Sequence, residues 1–88
     1  MCTPETFFTE LQLVLKQLRG RCHRLYHDTD DVAVYLQEGR QDWAMADLLR
    51  EAAQKLQQAE QLVVKAQELA EERRNEVQPR VTATIVAP

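Results

Sequence analysis

Apolar side chains near the start of the chain recur every three or four positions. Plotted at 100° per residue, they fall within an arc of about 120°. Thr3 suits an N-cap and Pro4 suits the first helical position. The pattern predicts an amphipathic helix over about 4–27, with Gly20 interpreted as a close crossing or a kink. The apolar arc contains Phe7, Phe8, Leu11, Val14, Leu15, Leu18, Cys22, Leu25 and Tyr26.

The acidic segment 28–31 predicts a turn, because Asp and Thr side chains cap helix starts and compete with helical hydrogen bonds. A short helix over about 31–38 is expected next, and Gly39 suits the left-handed position just past a helix end. A single helix that continues through Gly39 is the alternative.

A long helix is predicted from Asp42, a suitable N-cap, to about residue 77, where Pro79 follows. Apolar and small residues alternate at spacings of four and three over nearly four heptads, which is typical of a helix-packing seam. The predicted class is all-α: an antiparallel helical hairpin in a three-helix arrangement, with 1–78 as one domain. The seam positions are Met45, Leu49, Ala52, Leu56, Ala59, Val63, Ala66 and Ala70.

Residues 79–88 have a different composition, rich in β-branched residues and without charge after Arg80. We expect a flexible tail, or a segment that becomes ordered as an added strand on a partner. Ile85 is the candidate contact in that second case.

A difference in length between the two main helices suggests a function. At 1.5 Å per residue, the first helix spans about 36 Å and the last about 50 Å, so folding back leaves part of the seam uncovered. We therefore expect a protein partner or, as the leading assembly, a homodimer of four helices. The alternative is a three-helix unit that closes on itself. The candidate contact residues are Leu13, Trp43, Leu62, Val63, Ala66, Leu69, Ala70 and Ile85.

Composition narrows the class of protein. With 44% hydrophobic and 28% charged residues, the chain falls in the globular range rather than the disordered one. A net charge of −3 argues against general attraction to nucleic acid or to acidic membranes. Two cysteines and the lack of a long apolar run indicate a cytoplasmic protein with free thiols and no membrane segment.

Candidate chemistry is sparse. His23 and His27 have a metal-ligand spacing, but a third ligand is lacking and the cations of the same helix repel a metal ion. The acidic residues near the turn match no calcium loop and are explained by helix capping. We therefore predict a protein that is not an enzyme and holds no metal or cofactor, and that acts as an adaptor, small chaperone, accessory subunit or inhibitor. The alternative function is a nucleic-acid-binding module whose contacts are Lys16, Arg19, Arg21 and Arg24.

One short stretch has a counterpart in a known family. Residues 55–61, Lys-Leu-Gln-Gln-Ala-Glu-Gln, resemble a segment in the small subunit of exonuclease VII, another short helical protein. The rest of the chain departs from that pattern, and the resemblance therefore assigns no family.

Overall fold

The computed structural model describes residues 4–77, which form a hairpin of two long helices. Helix α1 spans Pro4–Tyr35 and ends in a π-helical turn, Leu36–Arg40; helix α2 spans Trp43–Val77. The helices are antiparallel, since Gln12 contacts Gln67 and His23 contacts Glu60. The all-α prediction is confirmed, but the three-helix arrangement is wrong.

The predicted break at 28–31 does not occur, because α1 continues through it to Tyr35. Asp and Thr only weakly disfavour a helix interior, and neither Gly nor Pro stands there to stop the helix. The next turn of α1, residues 32–35, contains Ala33, which is fully buried against α2. Packing therefore outweighs local propensity, and the predicted short helix is the last part of α1.

A short connection joins the two helices, and the last turn before it is π-helical, so that its hydrogen bond spans one residue more than in an α-helix. The backbone amides of Gln41 and Asp42 both donate to the carbonyl of Leu36, the latter over 2.9 Å. Gln41 takes the left-handed conformation, with φ 56° and ψ 33°. The expectation that Gly39 occupies this position is wrong, because the π-helical turn moves the left-handed position further along the chain. Gly39 instead lies under the ring of Tyr35.

The start of α2 follows the prediction. The Asp42 carboxylate oxygen Oδ1 accepts a hydrogen bond of 3.1 Å from the amide of Met45, and the Asp42 carbonyl accepts one of 3.0 Å from Ala46. This is the N-cap geometry that satisfies amides left free at a helix start.

The core between the helices is thin. The buried side chains of the described residues are alanines only, and no larger side chain is fully enclosed. Small residues let helix axes approach closely, and the two alanines with no exposed surface, Ala33 and Ala46, lie beside the turn. A two-helix hairpin has a single interface, and the larger apolar side chains are covered there on one side only. The buried alanines are Ala33, Ala46, Ala53 and Ala70.

Gly20 does not mark a close helix crossing. A Cβ atom added there would meet only the Arg24 side chain, at 3.7 Å, and α1 is continuous through it. We therefore expect Gly20→Ala to raise the free energy of unfolding by about 0.5–1 kcal/mol, through helix propensity. Urea unfolding followed by circular dichroism measures it. Gly39→Ala is the contrast, with a smaller gain because its Cβ would lie 3.4 Å from the Tyr35 ring.

Candidate docking face

Helix α2 turns a different row of residues toward α1 than the heptad pattern predicts. Ala46 and Ala53 are buried there, and Glu60 and Gln67 occupy the next positions of the same row. One of the two rows that contact α1 therefore lies one residue later in the sequence than predicted. One row is common to the predicted and observed seams: Leu49, Leu56, Val63 and Ala70. The other predicted row faces sideways instead: Met45, Ala52, Ala59 and Ala66.

One edge of the hairpin is closed by polar contacts, which we call the polar edge. The Glu60 carboxylate oxygen Oε1 lies 3.2 Å from the His23 ring nitrogen Nδ1, and its second oxygen, Oε2, lies 4.0 Å from Arg19 Nε. Further toward the open end, Gln12 Nε2 donates to the carbonyl of Gln67 over 3.2 Å. These contacts satisfy Glu60 and Gln67, and they fix the register of the two helices.

The two histidines also lie on the polar edge. Their Nε2 atoms are 3.1 Å apart, and Glu60 contacts the other ring nitrogen of His23. Over residues 4–77, no group of three or more His, Cys, Asp or Glu side chains is arranged to hold a metal ion. The arrangement is a hydrogen-bonded chain that links α1 to α2.

The opposite side of the hairpin is apolar, and we call it the apolar face. At the open end, Phe7, Leu11, Ala66 and Leu69 line a shallow groove between the helices. Residues seven apart continue each row toward the turn, because such positions lie on the same side of a packed helix. The inner rows stay apolar, whereas the outer rows also contain Arg21, Asp28 and Lys55. The face contains Phe7, Leu11, Val14, Leu18, Leu25 and Val32 of α1, and Met45, Leu48, Ala52, Ala59, Leu62, Ala66 and Leu69 of α2.

The large side chains of this face are not covered within one copy. Leu48 and Leu62 keep 69% and 65% of their surface exposed, and Phe7, Leu18 and Leu25 are exposed as well. The expected cause, a helix 1 too short to cover helix 2, is wrong, because α1 has 32 residues against 35 in α2. The uncovered surface is lateral: each helix carries a second apolar row beside the one it uses in the hairpin.

The structure divides the predicted contact residues into groups. Leu62, Ala66 and Leu69 lie on the apolar face, whereas Val63 and Ala70 belong to the row facing α1. Both remaining described candidates are exposed but lie elsewhere: Leu13 on the outside of α1, and Trp43 at the turn. Ile85 and the tail 79–88 lie outside the described residues.

Sequence reasoning missed most of the α1 part of the face. The sequence places Leu18 and Leu25 in the apolar arc of the first helix and Val32 in the predicted short helix, yet all three are exposed in the structure. The signal was present in the row Leu11, Leu18, Leu25 and Val32, which repeats every seven residues beside the row that packs on α2.

The basic residues of α1 follow one another around the helix. Lys16 lies with Arg19 and Glu60 at the polar edge, and it also lies with Arg21 and Arg24 around Gly20 on the outer surface. Arg19 reaches Glu60, whereas no acid lines the groove of Lys16, Arg21 and Arg24.

Among the described residues, no helix is both long and apolar enough to cross a membrane. Comparison with protein families, with curated proteins and with solved structures found no match to this chain.

Proposed function

We propose that this chain is a non-enzymatic interaction protein that acts by docking its apolar face on a protein surface. The observation that supports this is the set of exposed leucines along the apolar face, with the polar edge on the other side of the hairpin closed by side-chain contacts. An adaptor, accessory subunit, small chaperone or inhibitor would use such a face in the same way.

The energetics favour a covered face. Burying one Leu or Val side chain is worth about 1.5–3 kcal/mol, and the face carries several that are about half exposed or more. Monomeric proteins rarely leave contiguous apolar patches beyond a few hundred Å² open to water. Since alanines are the only buried side chains over residues 5–76, the hairpin gains much of its stability from such a partner.

The absence of a built reaction site supports the non-enzymatic assignment. The clefts among residues 4–77 are open grooves on the hairpin surface, and the titratable chain of Glu60, His23 and His27 lies along one of its edges, where both histidines are exposed. Excluding water from a substrate requires a closed site, which a layer of two helices does not provide.

An apolar dye that fluoresces when bound to exposed hydrophobic surface tests the proposal. At low protein concentration, where the face is free, we expect strong dye binding. Dye binding per chain should fall as protein concentration or an added partner covers the face. A chain that binds no dye at any concentration, and shows a mass of one copy throughout, contradicts the docking function.

A second candidate function is nucleic-acid binding. The observation that favours it is the outer groove of α1, where Lys16, Arg21 and Arg24 gather around Gly20 without an acid among the lining residues. Three phosphate contacts predict weak binding with a shallow salt dependence. Retention on DNA or RNA at low salt that is lost in Arg21→Glu/Arg24→Glu supports this candidate, and lack of retention at about 50 mM salt excludes it.

A further inference from the structure

We propose that the apolar face is covered by a second copy of this chain, related by a two-fold axis parallel to the helices. Each α1 then lies over α2 of the other copy, and both turns lie at the same end of a four-helix bundle. This inference rests on the proposed docking function and names its occupant. Three features of the face support it: its area, the sizes of its side chains and its charges.

The area of the face matches what a stable dimer needs. A helix of 35 residues is about 52 Å long at 1.5 Å per residue. Two helices packed about 9 Å apart present a face about 15 Å wide, which gives about 800 Å² per copy. That is the area per partner of a standard specific interface. Because the whole length of the hairpin carries the face, a straight partner of equal length covers it fully.

Side-chain sizes favour one of the two possible pairings. The inner row of the face is large on α1, with Leu18 and Leu25 as its central members, and small on α2, with Ala52 and Ala59. Placing α1 over α2 of the other copy sets each large row against a small row. The reverse pairing, α1 on α1 and α2 on α2, sets Leu against Leu and Ala against Ala. The first pairing gives equal helix spacings around the bundle, as an evenly packed core requires.

Charges at the outer margin of the face agree with the same pairing. Asp28 lies five residues nearer the turn than His23, and Lys55 lies five residues nearer the turn than Glu60. Since His23 contacts Glu60, Asp28 and Lys55 are at the same height. A two-fold axis parallel to the helices preserves height, so Asp28 of one copy stands opposite Lys55 of the other, twice per dimer. Opposite charges so placed favour one register and partner.

The reverse pairing makes a different prediction from the same residues. Antiparallel packing of α1 on α1 about its centre, between residues 19 and 20, places Asp28 of one copy opposite Leu11 of the other, so Asp28 faces no cation there. A charge-reversal cycle therefore separates the two arrangements, because Lys55→Asp restores the binding lost in Asp28→Lys only when α1 lies over α2 of the other copy.

The test is sedimentation equilibrium of the full chain over about 1–200 µM at low salt. We expect a dimer whose dissociation constant rises about 10-fold in Asp28→Lys and about 10-fold in Lys55→Asp, since each dimer contains the pair twice. The double variant Asp28→Lys/Lys55→Asp should return to within about 3-fold of the wild type. Asp31→Lys makes the same charge change on the outer side of α1 and should leave the constant within about 2-fold.

Three outcomes overturn the inference. A dimer in which Lys55→Asp does not restore the binding lost in Asp28→Lys means that α1 does not lie over α2 of the other copy. A wild-type chain that stays at the mass of one copy and binds the apolar dye means that another protein covers the face; the docking function then stands without the dimer. A chain with the mass of one copy and no dye binding removes both.

Discussion

Replacing Ala46 by leucine is expected to lower the free energy of unfolding by about 2–3 kcal/mol. Ala46 has no exposed surface and lies beside the turn, where Ala33 of the opposite helix is also fully buried. Three added carbon atoms have no space between helices this close. Either the helices separate near the turn or the leucine takes a strained rotamer, and both cost stability. Urea unfolding followed by circular dichroism, at one fixed protein concentration, measures the change.

Ala44→Leu is the matched control, two residues earlier on the exposed side of α2. Its free energy of unfolding should stay within about 0.5 kcal/mol of the wild type, because a surface substitution adds no overlap. Equal stability of Ala46→Leu and Ala44→Leu would show that the two helices are not in close contact beside the turn.

The second large effect is expected for Leu62→Glu, on the apolar face. Each copy loses the burial of one leucine, about 1.5–3 kcal/mol, and a symmetric dimer contains the change twice. The dissociation constant should therefore rise about 10²- to 10⁴-fold, at 1.4 kcal/mol for each factor of ten. Sedimentation equilibrium measures it. Leu62 is 65% exposed within one hairpin, so the helical far-ultraviolet signal should persist at low temperature.

Gln58→Glu introduces the same charge four residues earlier, on the solvated side of α2. We expect a dissociation constant within about 3-fold of the wild type for this variant. If both variants assemble equally well, Leu62 is not in the interface and the apolar face is not the docking surface.

The sequence was a good guide to α2 and a poor one to the end of α1. Asp42 and the long uninterrupted heptad pattern are local signals, and in the structure the helix starts after Asp42 and continues without a break through Val77. The segment 28–31 contains local signals for a turn, but contact of Ala33 with α2 decides its conformation. Such a contact joins residues far apart in the chain, and propensity does not report it. The π-helical turn that moves the left-handed position to Gln41 is equally hidden from composition.

The candidate face was predicted in part. The heptad pattern shows that α2 has apolar residues on adjacent rows, but not which row meets α1. Ala59 and Ala66 appeared better suited to a core than Glu60 and Gln67. The choice was decided by Arg19, His23 and Gln12 on the other helix, whose side chains satisfy Glu60 and Gln67 at the polar edge. Complementarity between two helices becomes readable only once their register is known.

Solvent accessibility of two leucines in solution tests the central claim most directly. Leu62 and Leu13 have similar exposure within one hairpin, 65% and 57%, but only Leu62 lies on the apolar face. Hydroxyl-radical oxidation followed by mass spectrometry, at protein concentrations from about 1 to 200 µM, compares their reactivity. We predict that Leu62 becomes strongly protected as concentration rises while Leu13 stays reactive. Equal reactivity of the two leucines at every concentration would contradict a covered apolar face.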